Sequence, residues 1–287
     1  CTDFSIKCEV KSKIKYSFFP SPRIKFNNLT IKDSNNKILG NIENIAIKLS
    51  VSNLLNKTKF NFTQVELENG EINVNFEEFD KYKKLSRKNF DLKTIKLKKG
   101  KIKFFDGEKY ITSINDINLK YKSRNNFDEI VLKGKFLNDI INIKFQNKRI
   151  EKNSSKNIVL KLVNSKIFMK VDMPHSKPDE DNISGNILFK KDKSRLTSIF
   201  DYKENQIVFK NANLRNTFLE GKFDGVIKFL PYFDFDLNVD LNGVNFNKFH
   251  SYFVALDTKN IFKINEKING QLNLSTNKLY SKYNLIN

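Results

Sequence analysis

The chain has 287 residues, with 52 Lys and Arg against 32 Asp and Glu, and a formal net charge of +20. Only 10 Gly and 5 Pro interrupt it, while 27 Phe and 9 Tyr add a heavy apolar load, so the composition argues against a disordered chain. No apolar stretch reaches the roughly 18 residues of a transmembrane helix, and none is predicted. The lysines are spread through every predicted strand and form no stripe, which argues against nucleic acid as a partner.

The two cysteines, Cys1 and Cys8, lie at the start of the chain. Cys1 is either the acylated first residue of a mature bacterial lipoprotein or the point at which an excerpt of a longer chain begins. Cys8 is expected as a small buried residue of the first strand, and a disulfide between the two would require their side chains to meet across a strand. No signal peptide is present, so any targeting segment lies upstream or has been removed.

The stretch YSFFPSPRIKFNNLTI, residues 16–31, joins an aromatic and proline-containing element to an alternating strand. We expect its aromatic and proline residues to cap the apolar end of a sheet, because proline stops an edge strand from pairing further. These residues are Tyr16, Phe18, Phe19, Pro20 and Pro22. The alternation that follows slips once, at Asn27 and Asn28, which predicts a β-bulge or a tight turn.

Turn-forming residues at 33–36 separate this strand from a second alternating stretch, NIENIAIKLSV at 41–51, so the two are predicted to form a hairpin. The next stretch, SVSNLLNKTKF at 50–60, has helical spacing and predicts a short helical turn.

An internal repeat follows, in which QVELENGEINVNF and TIKLKKGKIKFFD place apolar residues at the same spacing around Gly70 and Gly100. A weaker third copy, VLKLVNSKIFMKV, has Ser165 in the position of the glycine. Each copy predicts a strand, a tight turn or kink at the small residue, and a second strand.

Short alternating strands fill the rest of the chain. Turns are predicted at Asp106–Gly107, Asn138–Asp139, Lys191–Asp192, Glu204–Asn205 and Asp224–Gly225. NFNKFHSYFVAL at 245–256 is a second helical segment, and the Pro-containing stretch 173–185 is a polar loop. The predicted organisation is therefore an N-terminal β portion at 1–172, the loop at 173–185, and a continuing β portion at 186–287.

This spacing predicts on the order of 20 strands of about six residues each. At about 4.8 Å per strand they would span on the order of 95 Å, so such a sheet must twist, curl or split. The predicted fold class is mainly β: a long, strongly twisted antiparallel sheet forming an open groove, with one or two short helices.

Residues for catalysis or metal binding are scarce. His175 and His250 are expected as surface or interfacial residues, and no zinc spacing occurs. The acidic run Asp179, Glu180 and Asp181 lacks the alternation and the glycine of a calcium loop, so a solvated loop is expected there. No P-loop, dinucleotide fingerprint or nucleophile elbow is present, and we expect a non-enzymatic protein without a cofactor.

The order of these features resembles the AsmA family of bacterial envelope proteins. The resemblance is carried by FSIKCEVKSKIKYSFFPSPRIKFNNLTI, NIENIAIKLSVSNLLNKTKF, VELENGEINVNF and the second copy around Gly100, and more loosely by VDLNGVNFNKFHSYF and INGQLNLS. It implies a periplasmic protein anchored to the inner membrane by an upstream helix. Such a protein would bind phospholipid in a β groove, for lipid transport between membranes or for outer-membrane homeostasis.

The residues predicted to line the groove alternate along the predicted strands. They are Ile24, Phe26, Ile45, Ile47, Val65, Leu67, Ile72, Val74, Ile95, Leu97, Ile102 and Phe104. Two alternatives stay open: a second sheet could close the same face into a sandwich core, or the chain could be a structural or adhesive surface protein, acylated at Cys1, that binds a protein or a glycan.

Overall fold

The computed structural model describes residues 6–19, 21–50, 62–78, 94–150, 153–176, 182–228, 233–255, 268–281 and 285–286. The chain divides into two compact units, Cys1–Arg149 with Lys161–Asn164, and Ile150–Leu160 with Ser165–Asn287. Strands dominate both units, and the strands that the structure describes all belong to one mixed sheet that stays open. The prediction of a mainly-β, open-sheet protein with little helix is therefore confirmed.

After two short strands, the first unit is a run of long strands in which sequence neighbours pair. Its strands are β1 (Lys7–Val10), β2 (Lys15–Ser17), β3 (Arg23–Lys32), β4 (Ile38–Leu49), β5 (Phe62–Asn75), β6 (Thr94–Asp106), β7 (Lys109–Arg124), β8 (Phe127–Phe136) and β9 (Asp139–Ile150). The short strands β1 and β2 both pair with β3, each along a different half of it. The predicted hairpin of β3 and β4 is confirmed, and its turn is held by Asp33, whose carboxylate accepts hydrogen bonds from the backbone N–H groups of Asn35 and Lys37.

The repeat around the two glycines has the kink that was predicted as one of two possibilities, and not the tight turn: the residue before each glycine is left-handed, and the pairing of β6 with β7 shifts register on both sides of Gly100. β5 and β6 each run through their glycine as one continuous strand, and the two lie parallel and in register, with Leu67 beside Leu97 and Ile72 beside Ile102. The sheet is thus mixed, and not antiparallel throughout. The third copy does turn, because β10 (Asn153–Leu162) ends before residues 163–166 and β11 (Ile167–Ser176) begins after them.

Three of these strands contain a residue whose backbone has a left-handed φ angle, and the strand continues on both sides of it. Asn28 in β3, Asn69 in β5 and Lys99 in β6 have φ angles of 57°, 54° and 52°. Asparagine tolerates this conformation better than most residues do. The predicted slip at Asn27 and Asn28 is therefore an irregularity inside a strand and not a turn.

The second unit continues the antiparallel pattern. Its strands are the first part of β10, then β11, β12 (Ile183–Lys191), β13 (Ser194–Lys203), β14 (Gln206–Arg215), β15 (Leu219–Lys228), β16 (Phe233–Asn245), β17 (Ile268–Thr276), β18 (Leu279–Tyr280) and β19 (Leu285–Ile286). A helix, α1 (Phe246–Ala255), follows β16, and β17 then returns parallel to β16.

The other local predictions can be compared with these bounds. α1 confirms the second helical segment, and the Asn245 side chain caps it by accepting a hydrogen bond from Lys248 N at 3.1 Å. The turn predicted at Asp224–Gly225 is wrong, because both residues lie inside β15. The chain turns instead at Asn216, whose side-chain oxygen accepts hydrogen bonds from the backbone N–H groups of Phe218 and Leu219.

Three predicted segments fall partly or wholly outside the described residues. These are the helical turn at 50–60, the acidic run Asp179 to Asp181, and Pro20. The polar loop predicted at 173–185 also lies partly outside the described residues; of its described residues, those up to Ser176 belong to β11 and those from Ile183 belong to β12.

The structure describes 19 strands, close to the predicted number, but most have nine to 16 residues where about six were expected. Strand pairing continues across the small and left-handed residues, so segments that look like separate strands in the sequence are joined.

Candidate functional site

Apolar side chains occupy one face of the sheet from β3 to β9, here called the apolar face, while lysine, glutamate and asparagine occupy the other. The register, together with the left-handed residues Asn69 and Lys99 between the two halves of β5 and β6, places all twelve residues of the predicted groove lining on the apolar face. They are Ile24, Phe26, Ile45, Ile47, Val65, Leu67, Ile72, Val74, Ile95, Leu97, Ile102 and Phe104.

One transverse line of side chains crosses the whole apolar face, with one residue from each strand. This outer row consists of Tyr16, Ile24, Ile47, Val65, Ile95, Tyr121, Ile130 and Phe145. Every member from β3 to β9 is half-buried, and Tyr16 is exposed. At about 4.8 Å per strand the outer row is roughly 34 Å long.

The centre of the apolar face is packed more tightly than the outer row. Ile45 and Leu97 are each 4% exposed and Ile117 is fully buried, whereas the other ten predicted lining residues are half-buried. Ile45 and Leu97 therefore belong to the packed centre and present little surface to a ligand. The apolar surface that a ligand could reach lies along the outer row and toward the opposite ends of the strands.

Glycines make this packed centre possible. A Cβ atom added at Gly70 would come within 2.9 Å of Leu97 Cδ1, and one added at Gly100 within 2.8 Å of Leu97 Cγ. The Leu97 side chain thus lies over both glycines of the repeat, one on each of two parallel strands.

A polar cluster interrupts the apolar face beside the outer row, between β7 and β9. Asp128, which is buried, accepts hydrogen bonds from Ser123 Oγ at 2.7 Å and Tyr121 Oη at 3.4 Å, and Arg149 binds its other oxygen. Burial raises the pKa of Tyr121, and the negative charge of Asp128 raises it further. Asn147 donates to Asp128, while its own Oδ1 is buried without a partner in the described structure.

Sequence reasoning missed this cluster, although a signal was present. Ser123, Asp128 and Asn147 each lie two residues along the strand from a member of the outer row, so their polar side chains break the alternation on the apolar side. Arg149 extends the break by two further residues. A run of such breaks in three successive strands is what an internal polar network requires.

The opposite face carries the charge of the unit. Glu66 of β5 lies 3.2 Å from Lys48 Nζ and 3.8 Å from Lys96 Nζ, on the two strands that flank it. Partial burial raises the pKa of Glu66, but the hydrogen bond from Lys48 and the charges of both lysines lower it more, so it lies below its ordinary value.

The residues predicted to cap the apolar end of the sheet do not fill it. Tyr16, Phe18 and Phe19 are 70%, 71% and 88% exposed. Pro22 is buried, and its carbonyl accepts a hydrogen bond from Leu49 N at 2.9 Å. Pro22 therefore fixes the chain at the start of β3, while the aromatic side chains form a surface.

A cleft of about 540 Å³ lies where β7, β8 and β9 approach their turns. It combines an exposed Tyr110 ring with hydroxyl, amide and carboxylate groups. Its lining is Tyr110, Thr112, Ser113, Asn115, Lys135, Leu137, Asn138, Asp139, Ile140 and Asn164.

Within the described residues, no group of three or more His, Cys, Asp or Glu side chains could hold a metal ion. His250 is exposed on α1 beside Phe246, and His175 lies in β11. Cys8 is half-buried in β1 and disulfide-bonded, while Cys1 lies outside the described residues. No helix in the described part of the chain is long and apolar enough to cross a membrane.

Comparisons with protein-family models, with curated proteins and with solved structures find no match to this chain.

Proposed function

We propose that the chain is a non-enzymatic lipid-binding protein, whose first unit receives the acyl chain of a phospholipid along the outer row. The observation that carries the proposal is the outer row itself. Seven consecutive strands each contribute an apolar or aromatic residue to one line, and all seven are half-buried, so each keeps apolar surface within reach of a ligand.

Half of the outer row is long enough for one acyl chain. One leaflet of a bilayer has a hydrocarbon depth of about 15 Å, and four strands at about 4.8 Å spacing cover roughly 14 Å. An acyl chain of about 16 carbons requires on the order of 13 kcal/mol to enter water, at about 0.8 kcal/mol per methylene, and contact with the row would offset part of this. The polar cluster around Asp128 and Arg149 supplies hydrogen-bonding groups beside the row, where a headgroup could interact.

The resemblance to the AsmA family adds a cellular role to this proposal. In that role the protein resides in the periplasm, is anchored to the bacterial inner membrane, and takes part in lipid transport between membranes or in outer-membrane homeostasis. Phospholipid is then the partner, and no cofactor is needed.

Native mass spectrometry with a short-chain phosphatidylcholine, supplied below its micelle concentration, tests the binding step. The variant Val65→Asn places an amide in the outer row and should weaken binding about fivefold, since roughly half of a buried valine contact, about 1 kcal/mol, is lost. Val131→Asn is the matched control, because Val131 is also a half-buried valine in mid-strand but lies on the opposite face.

Both variants must keep a cooperative urea transition for the comparison to count. A wild-type protein that binds no lipid, or an equal loss of binding in the two variants, would refute the outer row as the acyl site.

A second candidate function follows from the cleft at Tyr110. An exposed aromatic ring among several hydroxyl and amide groups could bind a glycan, as an adhesive surface protein would. Glycan binding that is lost in Tyr110→Ala and kept in Val65→Asn would favour this function over lipid binding.

A further inference from the structure

Around β2 the first unit exposes aromatic and basic side chains, here called the edge patch, with Tyr16 on the apolar face and Lys15 and Lys25 on the opposite face. It consists of Ile14, Lys15, Tyr16, Phe18, Phe19 and Lys25. Its apolar members are all more than half exposed, and Phe19 is 88% exposed. Aromatic side chains this large are rarely left in water without a partner, so the edge patch requires an explanation.

Local hydrogen bonds hold the edge patch in place. Ser17 Oγ donates to the carbonyl of Phe19 at 3.2 Å, and Arg23 Nε donates to the carbonyl of Ser21 at 3.3 Å. Because the buried Pro22 ties the same loop to β4, the exposure of Phe18 and Phe19 is built into the fold.

The charges of the edge patch have the same sign, and no described acidic residue neutralises them. Lys15 lies directly opposite Lys25 in the pairing of β2 with β3, an arrangement that is unfavourable for like charges. Neither lysine takes part in an ion pair described by the structure. The one acidic residue between residues 6 and 25, Glu9, is already bound to Lys32 at 2.7 Å. An anionic partner would remove this repulsion.

We propose that the edge patch docks the protein on the surface of an anionic lipid bilayer. Aromatic side chains are favoured at the boundary between headgroups and acyl chains, and each lysine near an anionic surface contributes about 1 kcal/mol. The proposal rests on the lipid-binding function, because Tyr16 is also the first member of the outer row, beside Ile24. A lipid leaving a docked bilayer would therefore meet the outer row at its exposed end.

Vesicle co-sedimentation tests docking, with vesicles of equal parts phosphatidylcholine and phosphatidylglycerol and with pure phosphatidylcholine vesicles as reference. The wild type should bind the anionic vesicles and lose affinity as salt is added. The double variant Lys15→Gln/Lys25→Gln should bind about 30-fold more weakly, as expected for the loss of two such charges. Lys109→Gln/Lys133→Gln is the charge-matched control, with two exposed lysines away from the edge patch, and should lose much less.

The aromatic contribution is tested separately with Phe18→Ser/Phe19→Ser, which should reduce binding to the anionic vesicles at least tenfold. Leu137→Ser/Ile111→Ser removes exposed apolar side chains elsewhere on the first unit and should bind like the wild type. Equal losses in patch and control variants would overturn the proposal, as would binding to pure phosphatidylcholine that matches binding to the anionic vesicles.

Single-stranded nucleic acid also uses aromatic and basic surfaces. An oligothymidylate that binds the wild type, competes with vesicles and fails to bind the patch variants would overturn the bilayer assignment. Binding of short-chain phosphatidylcholine separates the two proposals. If the wild type and the patch variants bind short-chain phosphatidylcholine but the wild type does not bind vesicles, only the docking proposal fails. If the wild type binds vesicles but does not bind short-chain phosphatidylcholine, the proposed acyl-chain function fails.

Discussion

Leu97 offers a stringent test of the packed centre and of the parallel pairing, because one side chain covers glycines on two strands. Gly70→Ala would place a Cβ atom 2.9 Å from Leu97 Cδ1 and 3.5 Å from Ile42 Cγ1. Overpacking of a filled core costs about 1–3 kcal/mol, and we expect that loss in the free energy of unfolding. Leu97→Ala alone should cost about 2–5 kcal/mol, because Leu97 is 4% exposed.

The double variant Gly70→Ala/Leu97→Ala tests whether the two residues are in contact. With Leu97 shortened to alanine, the atom that the new methyl would strike is absent, so Gly70→Ala should then cost little. The expected coupling energy is at least about 1 kcal/mol, well above the few tenths found between independent sites. Urea unfolding followed by circular dichroism measures each free energy. Gly243→Ala is the control, since its added Cβ would meet nothing closer than 3.4 Å.

Additive effects of Gly70→Ala and Leu97→Ala would refute the in-register parallel pairing of β5 and β6. In an antiparallel hairpin, or in a register shifted by one residue, Leu97 would lie away from Gly70 or on the other face of the sheet. Additivity would therefore contradict the topology and not only the packing.

Two further predictions concern single positions. Lys99 has a φ of 52°, so Lys99→Gly should leave the free energy of unfolding unchanged or raise it by up to about 1 kcal/mol. Lys101, also on β6, has ordinary strand conformation, so Lys101→Gly should lower the free energy of unfolding by about 0.5–1 kcal/mol. Urea unfolding measures both, and a larger loss at Lys99 than at Lys101 would contradict the left-handed conformation of Lys99. The pKa of Glu66 lies below its ordinary value of 4.5, since the lysines around it outweigh the effect of burial, so its contribution to stability is present above that value and is lost as pH falls through the lowered native pKa. In Glu66→Gln, the free energy of unfolding should therefore fall less steeply as the pH is lowered below about 4.5 than in the wild type. An unchanged pH dependence would show that Glu66 does not contribute to acid unfolding.

The period of two predicted most of the fold. It identified the strand positions, the hairpin of β3 and β4, and the shared face of the residues within each regular stretch, because side chains alternate between faces in a strand. The period alone did not predict that Leu67 and Ile72, five residues apart, lie on one face, which the left-handed Asn69 between them allows. It could not predict how deeply each residue is buried. Ile45 and Ile47 have the same spacing and chemistry, yet Ile45 is in the packed centre and Ile47 keeps accessible surface, a difference set by the row that each occupies across several strands.

The exposure of the aromatic element could not be predicted, for a related reason. From the sequence, Phe18 and Phe19 were expected to cap the apolar end of the sheet, beside prolines that stop its edge from pairing. In the structure Pro22 is the buried residue of this element, and the rings of Phe18 and Phe19 are exposed. The residues of a loop do not alternate between two faces as strand residues do. The sequence pattern therefore does not predict which of their side chains are buried, and the backbone conformation of the loop determines it.

The parallel pairing, in contrast, was encoded in the charges of the repeat. The two copies have the same apolar positions, but β5 carries glutamates where β6 carries lysines. Parallel, in-register pairing places Glu66 beside Lys96 and Glu68 beside Lys98, and continues with Glu71 beside Lys101. Each exposed pair contributes only about 0–1 kcal/mol, and a one-residue slip would turn every side chain of one strand to the opposite face. Apolar matching thus sets the stability of the pair, while opposite charge on the polar face favours this one register among those that the apolar pattern allows.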